Sequence, residues 1–227
     1  MLLTSHFLLL TSYVVLASNL ATLESQVAAD PENLKVAAEY RQQIITSGDY
    51  DRAITFFDGL AARPGAGPHA FLNLGLAYID KIPAVGAFRR ISLGNSATAA
   101  LTHSIEREPS DLGYLVRGLV NLHFERGWFH RTPDGVADLE QALRRAAPHL
   151  DRPYVARIYS ALGDGYWRLK TRDKARATWR DGQARFPGDQ RLRLRLASPD
   201  DVITGAIAHD LDAAVRVDTS LRDVLTD

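Results

Sequence analysis

Cysteine is absent from this chain, which removes disulfides, cysteine-based zinc sites, a thiol nucleophile and a lipid-bearing cysteine together. A charge excess is missing as well. Lys and Arg number 27, as do Asp and Glu, so no global field draws in nucleic acid, and nucleic acid is not expected as a partner. Long apolar runs are missing except at the start, where Phe7 to Leu16 reads FLLLTSYVVL. That stretch is too short to span a bilayer by itself, and its end, Val15-Leu16-Ala17, fits the small-residue rule of signal cleavage. No Lys or Arg precedes it, so the positive segment usual in export signals is reduced to the amino terminus and His6. Three readings stand side by side. The segment is a cleaved signal of an exported, periplasmic or secreted protein; or an uncleaved anchor giving membrane association through residues 1–20; or a buried helix of a cytoplasmic one. With 46% hydrophobic and 24% charged residues, the rest of the chain has a globular rather than a disordered balance.

Catalytic signatures are missing too. The histidines, His6, His69, His103, His123, His130, His149 and His209, include no His-x3-His pair and no His-Glu-x2-His, so spacing supports no metal site. His123-Phe124-Glu125 is similar to a deaminase fragment whose cysteine pair this chain lacks. There is no Gly-x-Ser-x-Gly, phosphate loop or dinucleotide fingerprint, and Gly163-Asp164-Gly165 lies within a helical pattern where packing explains Gly163. No catalytic, cofactor or metal residue is therefore named. Sites assembled from distant residues are invisible to spacing, which keeps an enzyme or small-molecule binder as an alternative.

What the chain does have is helical periodicity. Pro and Gly fall between apolar-periodic runs, at Arg63-Pro64-Gly65, Pro109-Ser110, Pro148-His149 and Pro187-Gly188-Asp189, and cut it into helix pairs of about 40 residues. The clearest unit carries Tyr159, Leu162, Gly163 and Tyr166, then Ala175, Trp179, Gly182 and Pro187. The first four share one helix face and the next three share another. Small residues at 163, 175 and 182 let two backbones approach, and Tyr159, Tyr166 and Trp179 fill the space between turns. This spacing resembles the tetratricopeptide repeat.

Weaker copies precede it. One has Ala37, Tyr40 and Ile44, a turn at Gly48-Asp49-Tyr50, then Ala53, Phe57 and Pro64, with Arg41 where a small residue is usual. The next has Phe71, Leu74, Gly75 and Tyr78, then Ala97, Leu101, Ser104 and Pro109. The third has Tyr114, Gly118, Gly135, Leu139 and Ala142, with Arg117 and Asn121 in place of Leu and Tyr. The resemblance runs from Leu34 to Asp189. It implies an all-α fold, a right-handed α-α superhelix of about four helix pairs whose first helices line a concave face. The expected division is residues 1–20 as the signal or apolar helix, 21–189 as the array and 190–227 as capping helices. Arg191 to Leu196 alternates like a strand, but the Gly188-Asp189 start signal favours a helix. Ser198-Pro199-Asp200-Asp201 then reads as the start of a docked helix over 199–217, with Ile203, Ala206, Ile207, Leu211 and Ala214 on its apolar face.

Two surfaces are candidates for binding. In the family register Leu72, Leu76 and Ile79, with Leu115, Leu119 and Leu122, point into the groove, which is either filled by the chain's own termini or open to a peptide. The other surface comes from insertions between first and second helices. Eight residues separate Tyr166 from Ala175, but eighteen separate Tyr78 from Ala97 and thirteen separate Asn121 from Gly135. Both insertions carry Gly-x-Phe-x-Arg-x3-Gly, at Gly86 to Gly94 and at Gly127 to Gly135, 41 residues apart. They are expected as loops on one edge, presenting Phe88, Arg89 and Arg90 with Trp128, Phe129, His130 and Arg131. Aromatics beside arginine suit an interface, although inward-folded aromatics and arginines paired to carboxylates are the alternative. The expected function is a non-enzymatic scaffold for a protein or peptide partner. A structural subunit that self-assembles or joins a membrane complex is the alternative.

Overall fold

A computed structural model describes residues 19–124, 130–212 and 217–225. Every element among them is helical. The first, α1, covers 19–29. It is followed by α2 (Leu34–Ser47), α3 (Tyr50–Ala61), α4 (Pro68–Lys81), α5 (Ala87–Arg107), α6 (Asp111–His123), α7 (Thr132–Arg145), α8 (Pro153–Arg168) and α9 (Arg172–Arg185). The chain closes with α10 (Gln190–Ala197), α11 (Asp200–Asp210) and the short α12 (Arg222–Leu225). The expected all-α solenoid is what is found, with α2/α3, α4/α5, α6/α7 and α8/α9 as its pairs. The expected boundary after residue 20 falls inside α1.

Local chemistry sets the ends of these helices. Asn33, Ser110 and Asp189 accept the backbone N–H of Val36, Gly113 and Leu192 at 3.2, 3.0 and 2.9 Å and so cap α2, α6 and α10. Gly48 ends α2 with φ of 76°, donating to the Ile44 carbonyl at 2.8 Å, a left-handed cap that a side chain would strain. Pro68, Pro133 and Pro153 stand in the first turns of α4, α7 and α8, where a missing N–H leaves no bond unmade. Pro199, not Ser198, is the residue flanking α11, and it makes no side-chain cap. The helix ends at Asp210, short of the 199–217 span read from the sequence; Ala214 lies outside the described residues.

Pairs close where small residues let backbones meet. A Cβ on Gly75 would stand 2.8 Å from the Leu101 side chain, one on Gly163 2.1 Å from Trp179, and one on Gly182 2.6 Å from Tyr159. Gly118 and Gly135 face each other, each added Cβ reaching the other's carbonyl oxygen at 3.0 Å. Ala175 is fully buried. The apolar residues form three clusters along the array, one around α1 to α4, one around α4 to α6 and one from α6 to α11.

The first insertion is not a loop. Ile82–Ala84 form a 3-10 turn, and α5 begins at Ala87, so Phe88, Arg89 and Arg90 lie in its first turn. The added residues lengthen the helix because Leu93 and Gly94 are buried, and Gly94 sits so close to the Phe124 ring that a Cβ there would come within 2.4 Å. The extension thus packs on the next repeat.

Candidate functional site

The first helices α2, α4, α6 and α8 share a face, and the chain's own tail, Val217 to Leu225, lies across it. Thr219 is the centre of the contact. Its carbonyl accepts from Arg41 of α2 at 2.9 Å, and its hydroxyl donates to Asp80 of α4. Arg41 also reaches Asp80 at 3.4 Å and Asn73 at 3.3 Å, and it is wholly buried. Arg157 of α8 donates to the Asp218 carbonyl at 3.2 Å and pairs with the Asp223 carboxylate at 3.3 Å. Arg152, flanking the same helix, donates to the Val224 carbonyl at 3.1 Å. Three arginines therefore hold three main-chain carbonyls of the tail, two in its irregular stretch and one in α12.

Between these polar anchors the tail drops one aliphatic side chain into the face. Leu221 is 1% exposed and belongs to the cluster of Leu76, Ile79, Val116 and Val120. Its φ is 56°, a left-handed conformation that costs a branched residue on the order of 1 kcal/mol and persists because its burial and the flanking bonds impose it. The space left between tail and helices is about 40 Å³, bordered by Leu119 and His123, room for a water or two.

The electrostatics follow from burial and pairing. Burial pushes the Arg41 guanidinium below its usual value, against the pull of Asp80, and guanidinium is basic enough to stay charged. Burial likewise presses the His123 imidazole down, toward its neutral form. At Asp218 burial acts upward, but bonds from Ser220 and the charge of Arg157 outweigh it and hold the carboxyl below the usual carboxylate range.

Of the residues expected in the groove, Leu76, Ile79 and Leu119 border this space. Leu72, Leu115 and Leu122 do not. Leu72 packs in the α4 to α6 cluster with Leu101, Leu115 lies in the α6 to α11 cluster, and Leu122 abuts Gly135. The reason is that α6 is buried on two sides, between α7 and the neighbouring pairs, so half its leucines serve contacts within the array. Of the edge residues, Phe88 is 93% exposed and has not folded inward. Arg89 is exposed and Arg90 half-buried. Arg131 precedes α7 and donates to Asn95 at 2.7 Å and Thr98 at 3.4 Å, joining the second insertion to the α5 extension on one edge. His130 beside it is exposed. Trp128 and Phe129 lie outside the described residues, as does the apolar segment through residue 18.

Arg41, Asp80 and Arg157 were not among the expected site residues, whereas a groove filled by the chain's own terminus was one of the two expectations, and the tail lies there. A signal for them existed. Each polar departure in a first helix or cap has an acidic mate: Arg41 with Asp80, Arg117 with Asp138 at 2.7 Å, and Arg195 with Asp164 at 2.9 Å. Among the described residues no group of three or more His, Asp or Glu is placed to hold a metal, and no helix is long and apolar enough to cross a membrane.

The fold is that of tetratricopeptide-repeat proteins. A crystal structure of a thermophilic tetratricopeptide-repeat protein from Thermus thermophilus is similar to it with a TM-score of 0.59 and 22% identity, over 84% of this chain and 93% of that one. No family model matches the chain, and no curated protein matches it in sequence.

Proposed function

We propose that this protein is a non-enzymatic scaffold whose first-helix face holds a short segment of a partner protein. The observation that carries the reading is the way the face already treats a short segment of the chain itself. Arg41, Arg152 and Arg157 donate to the carbonyls of Thr219, Val224 and Asp218, and main-chain recognition of this kind suits a peptide rather than a small molecule. Arg41 is wholly buried, and a buried charge demands an acceptor, so the face favours a segment that presents a main-chain carbonyl there.

The test is recovery of bound proteins from native extract by the full chain and two variants. Leu119→Glu places a charge on the half-buried edge of the groove; Ala177→Glu places one on the exposed side of α9, away from it. Recovery is expected to fall at least about tenfold for the first, the scale of one disrupted interface contact, and to hold for the second. Equal recovery by both, with unchanged melting temperatures, would count against the groove.

A further inference from the structure

The tail carries a chemical pattern of its own, and each part of it meets a matching group. Thr219 gives a hydroxyl to Asp80 and a carbonyl to Arg41. Two residues on, Leu221 fills the aliphatic notch of α4 and α6. Two further on, Asp223 supplies a carboxylate to Arg157. The register is fixed at both ends by charge and in the middle by shape. A segment needed only to cover apolar surface would require none of the polar contacts, which pin the tail to one register.

The hold on the tail is also of the exchangeable kind. Its only regular element is the four-residue α12, too short to be stable by itself. Leu221 sits in a left-handed backbone conformation, a strain that favours release. The Asp223 and Arg157 side chains are partly open to water, at 28% and 17%, so their pairing is screened and replaceable. Beside the tail the same face continues as an open polar trough between α1 and α2, bordered by Lys35, Glu39, Gln42 and Arg222, so a longer segment has somewhere to run.

We infer that residues 217–225 are a built-in competitor, an internal version of the partner segment, and that the partner is a protein displaying Thr or Ser, then Leu two residues later, then Asp or Glu two residues after that, in a segment able to take the tail's turned form. The inference rests on the scaffold reading. In the free protein the groove is closed, and a partner's apparent affinity is reduced by the fraction of molecules whose tail is out. A short tether holds a tail at an effective concentration in the millimolar range, so only a partner that binds the same notch better, or reaches the trough as well, displaces it.

The experiment uses the full chain and a fluorescein-labelled nonapeptide, Val-Asp-Thr-Ser-Leu-Arg-Asp-Val-Leu, read by fluorescence anisotropy. Leu221→Asp releases the tail without altering the groove; a second variant, Thr219→Ala with Asp223→Ala, does so by removing only polar anchors. Both are expected to bind the probe at least about tenfold more tightly than the unaltered chain, to reject a probe whose Leu is replaced by Asp, and to lose binding when Arg157→Glu is added. Equal, weak binding by all three chains overturns the inference. So does loss of helical circular dichroism at ambient temperature in both released variants, because the tail would then be permanent core. A dimer by light scattering, with the tail seated in a second copy, overturns it as well. Released variants that reject the probe yet still lose partners on Leu119→Glu refute this pattern and leave the scaffold standing. Variants that bind the probe while partner recovery ignores Leu119→Glu refute the scaffold alone.

Discussion

Glu24 shows how a single side chain ties an extra helix to the array. It lies on α1 and accepts from Arg52 of α3 at 2.7 and 2.9 Å and from the Tyr40 hydroxyl of α2 at 2.7 Å. The bond from Arg52 is the chief cause that lowers its carboxyl below the usual value, outweighing partial burial. A carboxyl depressed in the folded state contributes stability above its unfolded pKa, and loses it as pH falls through the folded one. Stability is therefore expected to decline as pH drops below about 4.5, the ordinary value for this group. Glu24→Gln should lower stability at pH 7 and flatten that decline. Urea midpoints at pH 7 and pH 3 check this; a variant with the same acid slope as the parent would remove Glu24 from the explanation.

At the scale of elements, the C-terminal helices are fastened through one buried ion cluster. Arg195 of α10 makes a two-pronged pair with Asp164 of α8 at 2.9 and 3.0 Å and reaches Asp210 at the end of α11 at 2.8 Å. Both partners of the first pair are about 5% exposed or less. Breaking such a pair from one side strands a buried charge, which costs about 3–5 kcal/mol. Asp164→Leu should therefore lose up to roughly that much, since Arg195 keeps Asp210 as a partner, and Asp164→Leu combined with Arg195→Met much less, because the Asp210 carboxylate left over is 30% exposed and reaches water. Thermal melts of the three chains decide it, and equal losses in the single and double variants would mean that shape rather than charge holds α10. The alternating Arg191 to Leu196 run is a helix here because Asp189 caps it and Leu192 finds a fully buried place against the array. No neighbouring strand offers its backbone a partner among the described residues.

Across the whole molecule, repeat arrays owe their stability to neighbours, so distant units uncouple easily. The tail opposes this. It bonds to α2, α4 and α8 at once, linking the first pair to the last. Releasing it with Leu221→Asp should broaden the urea transition and separate circular dichroism from the fluorescence of Trp167 and Trp179, which report the α8/α9 end. Coincident, equally steep transitions in both chains would show that the tail adds no coupling.

The sequence by itself determined the helix pairs, their order and their tightest contacts. Those features rest on local rules: Asn33 and Gly48 bracket α2 by capping, and Gly163 must be small because Trp179 lies against it. It also marked Arg41, Arg117 and Asn121 as departures from the repeat, without saying what they served. Arg117 and Asn121 both donate to Asp138, at 2.9 and 3.2 Å, a mate 17 to 21 residues away. For Arg41 the mates are Asp80, 39 residues on, and Thr219, 178 residues on. Only the tertiary structure decided those pairings, that the first insertion became helix, and that the tail occupies the first-helix face. Periodicity reports which side of a helix is apolar. What covers that side is settled by long-range packing, where a buried arginine takes whichever carbonyl the folded chain brings within reach.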